Sequence, residues 1–160
     1  MPPITALLHT TNDALRLGRA LETLYPCDEI VIVDHNSSDA TLRVAREYGA
    51  RVVPAIDGSA AAYYLNLAAH DWVFCLAPNE SLTEGLAATL FEWSSLASNA
   101  VTAKAGAVFL LAEIKSGWQE VIAPETRLVP RNWKSWQNIL PENCPNATPL
   151  DGKLLRFVFP

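Results

Sequence analysis

Ile30-Val31-Ile32-Val33 is an unbroken β-branched run with no polar residue interleaved. A strand with one wet face would alternate, so this one is predicted to be buried on both faces, as in a parallel sheet covered by helices. The run stops at Asp34, and Asn36, Ser37, Ser38 and Asp39 follow. Short polar side chains of this kind suit a turn and then a helix N-cap. A helix is predicted from about Ala40 to Tyr48, closed by Gly49 at C′. Ligands of open α/β sheets bind beyond the carboxyl ends of the strands. That rule puts Asp34 to Asp39 where a site belongs.

The rest of the chain repeats the alternation. Ile4 to Leu8 reads as a strand, and a helix is predicted from about Asp13 to Leu24, with Asn12 as its cap and Leu17, Leu21 and Leu24 on one face. Arg51 to Pro54 is a third strand, Ala60 to Ala69 a helix, Asp71 to Leu76 a fourth strand and Leu82 to Leu96 a helix. Ala107 to Leu111, an antiparallel Thr126 to Pro130 and an edge strand Leu154 to Phe159 follow, the last after a Pro- and Asn-rich loop, Pro141 to Pro149. Alternating strands and helices imply an α/β fold with a mainly parallel, doubly wound sheet. The 160 residues suit one domain.

Composition excludes several classes. The net charge is −5 and no Lys/Arg block occurs, which argues against nucleic acid or an anionic membrane as partner. No apolar run approaches the roughly 18 residues of a transmembrane span. Met1-Pro2-Pro3 lacks the basic and apolar regions of a signal peptide. Cys27, Cys75 and Cys144 are far apart, form no zinc spacing and read as reduced thiols. The expectation is a cytoplasmic protein.

The stretch Val31-Ile32-Val33-Asp34-His35-Asn36-Ser37-Ser38-Asp39-Ala40-Thr41 resembles the V-V-D-x-G-S-T-D-G-T segment of family 2 glycosyltransferases of the GT-A fold. Leu8-His9-Thr10-Thr11-Asn12-Asp13 is similar to the family's I-P-T-Y-N-E, Tyr48 to Val53 to its Y-G-A-R-V-V, and Asp71-Trp72-Val73-Phe74-Cys75-Leu76 to the strand that leads into its D-x-D. The resemblance implies a single GT-A (nucleotide-diphospho-sugar transferase) domain over 1–160. Residues 1–96 would be the nucleotide-binding half and 97–160 a shortened acceptor-side half.

It further implies a nucleotide-diphospho-sugar as partner, with Thr10, Asn12, Asp34 and Asn66 as nucleotide-binding residues. The leaving diphosphate normally shares a Mg²⁺ or Mn²⁺ ion held by the D-x-D carboxylates. Here those positions are Ala77-Pro78-Asn79, followed by Glu80. Asn79 offers one neutral oxygen and Glu80 one charge, so metal binding is weakened. His9 and His35 end two strands that should be neighbours, and with Glu80 they form an alternative set suited to zinc. Glu113, Glu120, Glu125 and Glu142 are the acids open to the role of base. Trp118, Trp133 and Trp136, with Arg127 and Arg131, suit sugar stacking, core packing or a homo-oligomer face. Two functions follow: a transferase of sugars, or a non-catalytic nucleotide- or sugar-binding or interaction domain on the same scaffold.

Overall fold

The structure, a computed structural model, describes residues 3–95 and 104–160. In chain order its elements are β1 (Ile4–Thr10), α1 (Ala14–Glu22), β2 (Glu29–Asp34), α2 (Thr41–Glu47), β3 (Arg51–Pro54), α3 (Ala61–Leu65), β4 (Trp72–Cys75), β5 (Glu80–Leu82) and α4 (Glu84–Ser95). After residue 104 come β6 (Gly106–Ile114), β7 (Gly117–Glu120), β8 (Glu125–Pro130), β9 (Trp136–Gln137), β10 (Leu140–Pro141) and β11 (Thr148–Arg156). The predicted helix end at Leu96 and the boundary between the two predicted halves lie outside the described residues.

One sheet runs in the order β3-β2-β1-β4-β8-β6-β11-β5, with β7 paired to β6, and β9 and β10 form a separate hairpin. β1, β2, β3 and β4 are mutually parallel, and β8 is antiparallel to both β4 and β6. β6 and β11 therefore point the same way as β1, and only β5, β7 and β8 oppose them. The fold is mixed α/β with a mostly parallel sheet.

The β-branched runs explain the centre. Every residue of β1 is buried, as are Val31 to Asp34 of β2. Side chains alternate between the faces of a strand, and each face has its own cover. Ala6, Leu8, Ile32 and Phe74 meet Leu17, Leu21, Leu86 and Leu90 of α1 and α4. Leu7, Val31, Val33 and Val73 meet Tyr64 and Leu65 of α3 on the other side. Gly49, with φ at 75°, closes α2 as its position predicts. No helix among the described residues is long and apolar enough to cross a membrane.

Four expectations change. α3 is one short turn-and-a-half rather than a helix reaching Ala69. Asn12 does not cap α1, whose N-cap is Asp13 and whose first N–H, that of Ala14, donates to Asp39 instead. A three-residue strand, β5, precedes α4. The last strand starts earlier, at Thr148, and is interior, lying between β6 and β5, because Leu150 and Leu154 must both be buried.

β11 breaks register between Pro149 and Lys153, and Gly152 within the break has φ at 95°. A Cβ there would stand 2.2 Å from the Leu86 backbone nitrogen. Gly152→Ala should therefore cost at least about 2 kcal/mol, from backbone strain and displacement of α4 together. Urea denaturation is the measurement, and an unchanged midpoint would contradict the packing.

Candidate functional site

Thr10 ends β1 and Asp34 ends β2, and the parallel register sets them side by side at the carboxyl edge of the sheet. The Thr10 hydroxyl donates to Asp34 Oδ1 at 2.8 Å, the Ser37 hydroxyl to the same oxygen at 2.6 Å, and the Ser37 N–H to Oδ2 at 2.9 Å. Burial alone would raise the Asp34 carboxyl, but the Ser37 and Thr10 bonds and the nearby His35 hold it below the usual carboxylate range.

Asn12 has φ at 52°, a left-handed conformation that asparagine tolerates better than most residues. Its Oδ1 accepts from the Ser38 N–H at 2.8 Å and the Asp39 N–H at 3.3 Å, and its own N–H donates to Ser37 Oγ at 2.9 Å. Asp39 accepts from the N–H of Ala14 and of Thr41, and Thr41 Oγ1 accepts from the Asp13 N–H. Thr10 and Asn12 thus fasten the loop after β1 to the loop after β2, and so hold Asp34 in place.

Three cavities adjoin along this edge. One of about 590 Å³ is bordered by Asp34, Asn36, Ser37, Arg46 and Asp57. It meets a second, of about 540 Å³, at Ala55 and Asp57, where His9, His35, Tyr64 and Trp136 form the walls. The second meets a third, of about 500 Å³, at Asn138 and Ile139, with Glu125, Gln137 and Asn143 beyond.

The two histidines do converge. His9 Nδ1 lies 2.8 Å from His35 Nε2, and the His9 ring stands perpendicular to that of Tyr64. His9 is 8% exposed, whereas His35 is exposed. Burial, and then the neighbouring His35, push the His9 imidazole down to about 4.

Asn66 does not join this group. α3 leads back to the start of β4, so Asn66 lies at the amino edge, in a separate cavity of about 350 Å³ with Asp71 and Arg131. The chain places Asp34 at one end of the parallel strands and Asn66 at the other.

Glu80 is also reassigned. It is 1% exposed and accepts from Arg127 at 2.6 and 2.8 Å, from Arg156 at 3.0 and 3.1 Å and from the Ala77 N–H at 2.9 Å. Glu125 accepts from the same two arginines and is held low by them against the opposing effect of burial. A dication at Glu80 would meet two guanidinium groups. Asn79 is drawn to the C-terminal segment, its Nδ2 donating to the Phe157 carbonyl at 3.0 Å. The set His9, His35 and Glu80 does not form: no group of three or more His, Cys, Asp or Glu suited to a metal occurs among the described residues.

The tryptophans and arginines of the second half are dispersed. Trp118 packs edge-on to Phe157, Trp133 and Trp136 lie on the α3-side core, and Arg131 bonds the Ala68 carbonyl. Glu113 accepts the N–H groups of Val158 and Phe159, and Glu120 pairs with Lys153.

No family model matches the sequence. The chain is 30% identical over 90 residues to an uncharacterized glycosyltransferase of Rickettsia felis, a match covering 54% of this chain and 32% of that protein. It is 31% identical over 87 residues to another from Rickettsia conorii, covering 52% and 31%. Glucosyl-3-phosphoglycerate synthase from Mycobacterium tuberculosis, crystallised with Mn²⁺, uridine-diphosphate and phosphoglyceric acid, superposes with a TM-score of 0.50 at 15% identity, over 72% of this chain and 44% of that one. The chain has the GT-A fold, and about half of it is similar in sequence to glycosyltransferases. This GT-A chain spans about a third of the length of the curated relatives it matches.

Within the GT-A frame, Arg156 is the site-edge residue that sequence reasoning missed. It lies 76 residues from Glu80, and no local pattern announces the pair. Tyr64, on α3, and Asp57, in the loop before it, also border the cavities without a sequence signal that marks them as site residues.

Two measurements test this geometry. An unfolded imidazole titrates near 6.5 and His9 near 4, so protonation favours the unfolded chain. Stability should be complete above about pH 6.5 and fall by up to about 3 kcal/mol as the pH approaches 4. His9→Phe should flatten that slope in urea midpoints taken across the range. Arg127→Met, which strips buried carboxylates of a partner, should cost about 3–5 kcal/mol, against less than about 1 kcal/mol for the more exposed Arg131→Met.

Proposed function

We propose that this chain binds a nucleoside-diphosphate sugar at the carboxyl edge of β1, β2 and β3, as the donor-binding part of a sugar-transfer domain. One observation carries the reading. The Asp34 carboxylate has about four acceptor positions, and three hydrogen bonds occupy it from inside the protein. Asp34 also borders a cavity large enough for a ribose and its phosphates, which opens onto the aromatic-walled cavity beside it, and the exposed Arg46 lies on the same wall to face a phosphate. Residues 1–96 form the donor half and 97–160 the acceptor half of this domain. Three free thiols fit a reducing cytoplasm.

The Mycobacterium enzyme was crystallised with Mn²⁺ and uridine-diphosphate. The residues here do not fit such an ion: Ala77 has no side-chain oxygen, Asn79 is tethered and Glu80 is neutralised by arginines. Donor binding is therefore metal-independent in this reading. The same observation favours a second reading, a domain that binds the donor without transferring the sugar.

Calorimetric titration with UDP is the test. Binding is expected with or without Mn²⁺, and Asp34→Asn and Arg46→Ala should each weaken it about tenfold, the worth of one charge-assisted hydrogen bond. If neither UDP nor any other nucleoside diphosphate binds, the proposal fails. Release of UDP from a panel of nucleotide sugars would separate the transferase from the binding domain.

A further inference from the structure

The histidine pair on the middle cavity is built in an unusual way. His35 Nε2 faces His9, so its remaining ring nitrogen is Nδ1, on an exposed residue that lines the cavity. Which nitrogen of an imidazole carries the proton is set by the hydrogen bond that the other one makes. Here the far end of the pair is His9 Nε2, which is buried and has no partner among the described residues. Nothing at that end fixes the protons.

Two arrangements therefore make the same internal N–H···N bond. In the first, His9 Nδ1–H donates to His35 Nε2, and His35 Nδ1 carries a proton and is a donor. In the second, His35 Nε2–H donates to His9 Nδ1, and His35 Nδ1 is bare and is an acceptor. Each imidazole holds one proton in both, so neither arrangement adds a charge to the buried ring. A carboxylate at this position would only accept, and an ammonium would only donate.

The other walls suit a flat ring. Tyr64 and Trp136 contribute aromatic surface and Ile56 and Ile139 aliphatic surface, while Asp57 is the carboxylate on the rim and Asp34 borders the adjoining cavity. This inference rests on the proposed reading that a nucleoside diphosphate binds at this edge. Given that reading, we infer that the His9–His35 pair is an adaptable base reader: His35 Nδ1 accepts from the N3–H of uracil and donates to the bare N3 of cytosine. His35 touches the base, and His9 is its positioning residue. The site then takes pyrimidines of either polarity.

The experiment titrates the full chain with UDP and with CDP and follows the ring nitrogens by long-range ¹⁵N correlation spectra. Affinities for the two are expected within about threefold of each other. His35→Phe should lose about tenfold on both, and His35→Gln, whose amide also offers either polarity, should recover most of that. In the spectra His35 Nδ1 should be unprotonated with UDP and protonated with CDP. The same tautomer with both nucleotides, or His35→Phe binding both as the parent does, overturns the inference while leaving nucleotide binding intact. Absence of binding by the parent chain overturns the nucleotide reading itself, and this inference with it.

Discussion

A strand buried on both faces ends in polar groups that must find partners at once, and the Thr10–Asp34–Ser37 bonds are how β1 and β2 do so. The register puts a hydroxyl beside a carboxylate, and the serine three residues on returns two hydrogen bonds to it. Asn12 and Asp39 extend the same solution to the start of both following helices. The edge of the sheet is rigid because its polar groups are mutually satisfied, and what they leave unsatisfied faces the cavities.

A different solution operates beyond β4. Glu80 keeps its charge out of water by facing arginines from β8 and β11. Such a cluster contributes little net stability over an apolar replacement, yet breaking it is costly, since a buried charge is then left short of partners. It also fixes which strands may meet, because β5, β8 and β11 share it. An ion from solution would do the first of these tasks and could be lost again, whereas guanidinium groups on the strands are permanent.

The central strands and first helices were readable because their signals are local. The β-branched run of β2, the leucine spacing of α1, the positive φ demanded at Gly49 and the ligand-edge position of Asp34 each depend on a few consecutive residues. The approach of His9 to His35 followed from assuming neighbouring parallel strands, which the structure bears out. What could not be read depends on distance along the chain. Asn66, which the resemblance groups with Thr10, Asn12 and Asp34, lies at the other edge, because a resemblance matches positions without saying which end of the sheet they reach. Glu80 was read as a ligand because its arginines come 47 and 76 residues later. The two-residue strands β9 and β10 carry too few side chains to show any period.

The position of β11 has a consequence for how the molecule assembles. The ribosome delivers β6 and β5 well before the strand that must slot between them, so a growing chain holds two unpaired edges side by side with nothing yet to join them. Long-range pairing of this kind is slow, and open edges invite pairing with other chains. The nascent protein is thus most exposed to misassociation just before residue 156 leaves the exit tunnel, and a chaperone that shields strand edges would act in that interval.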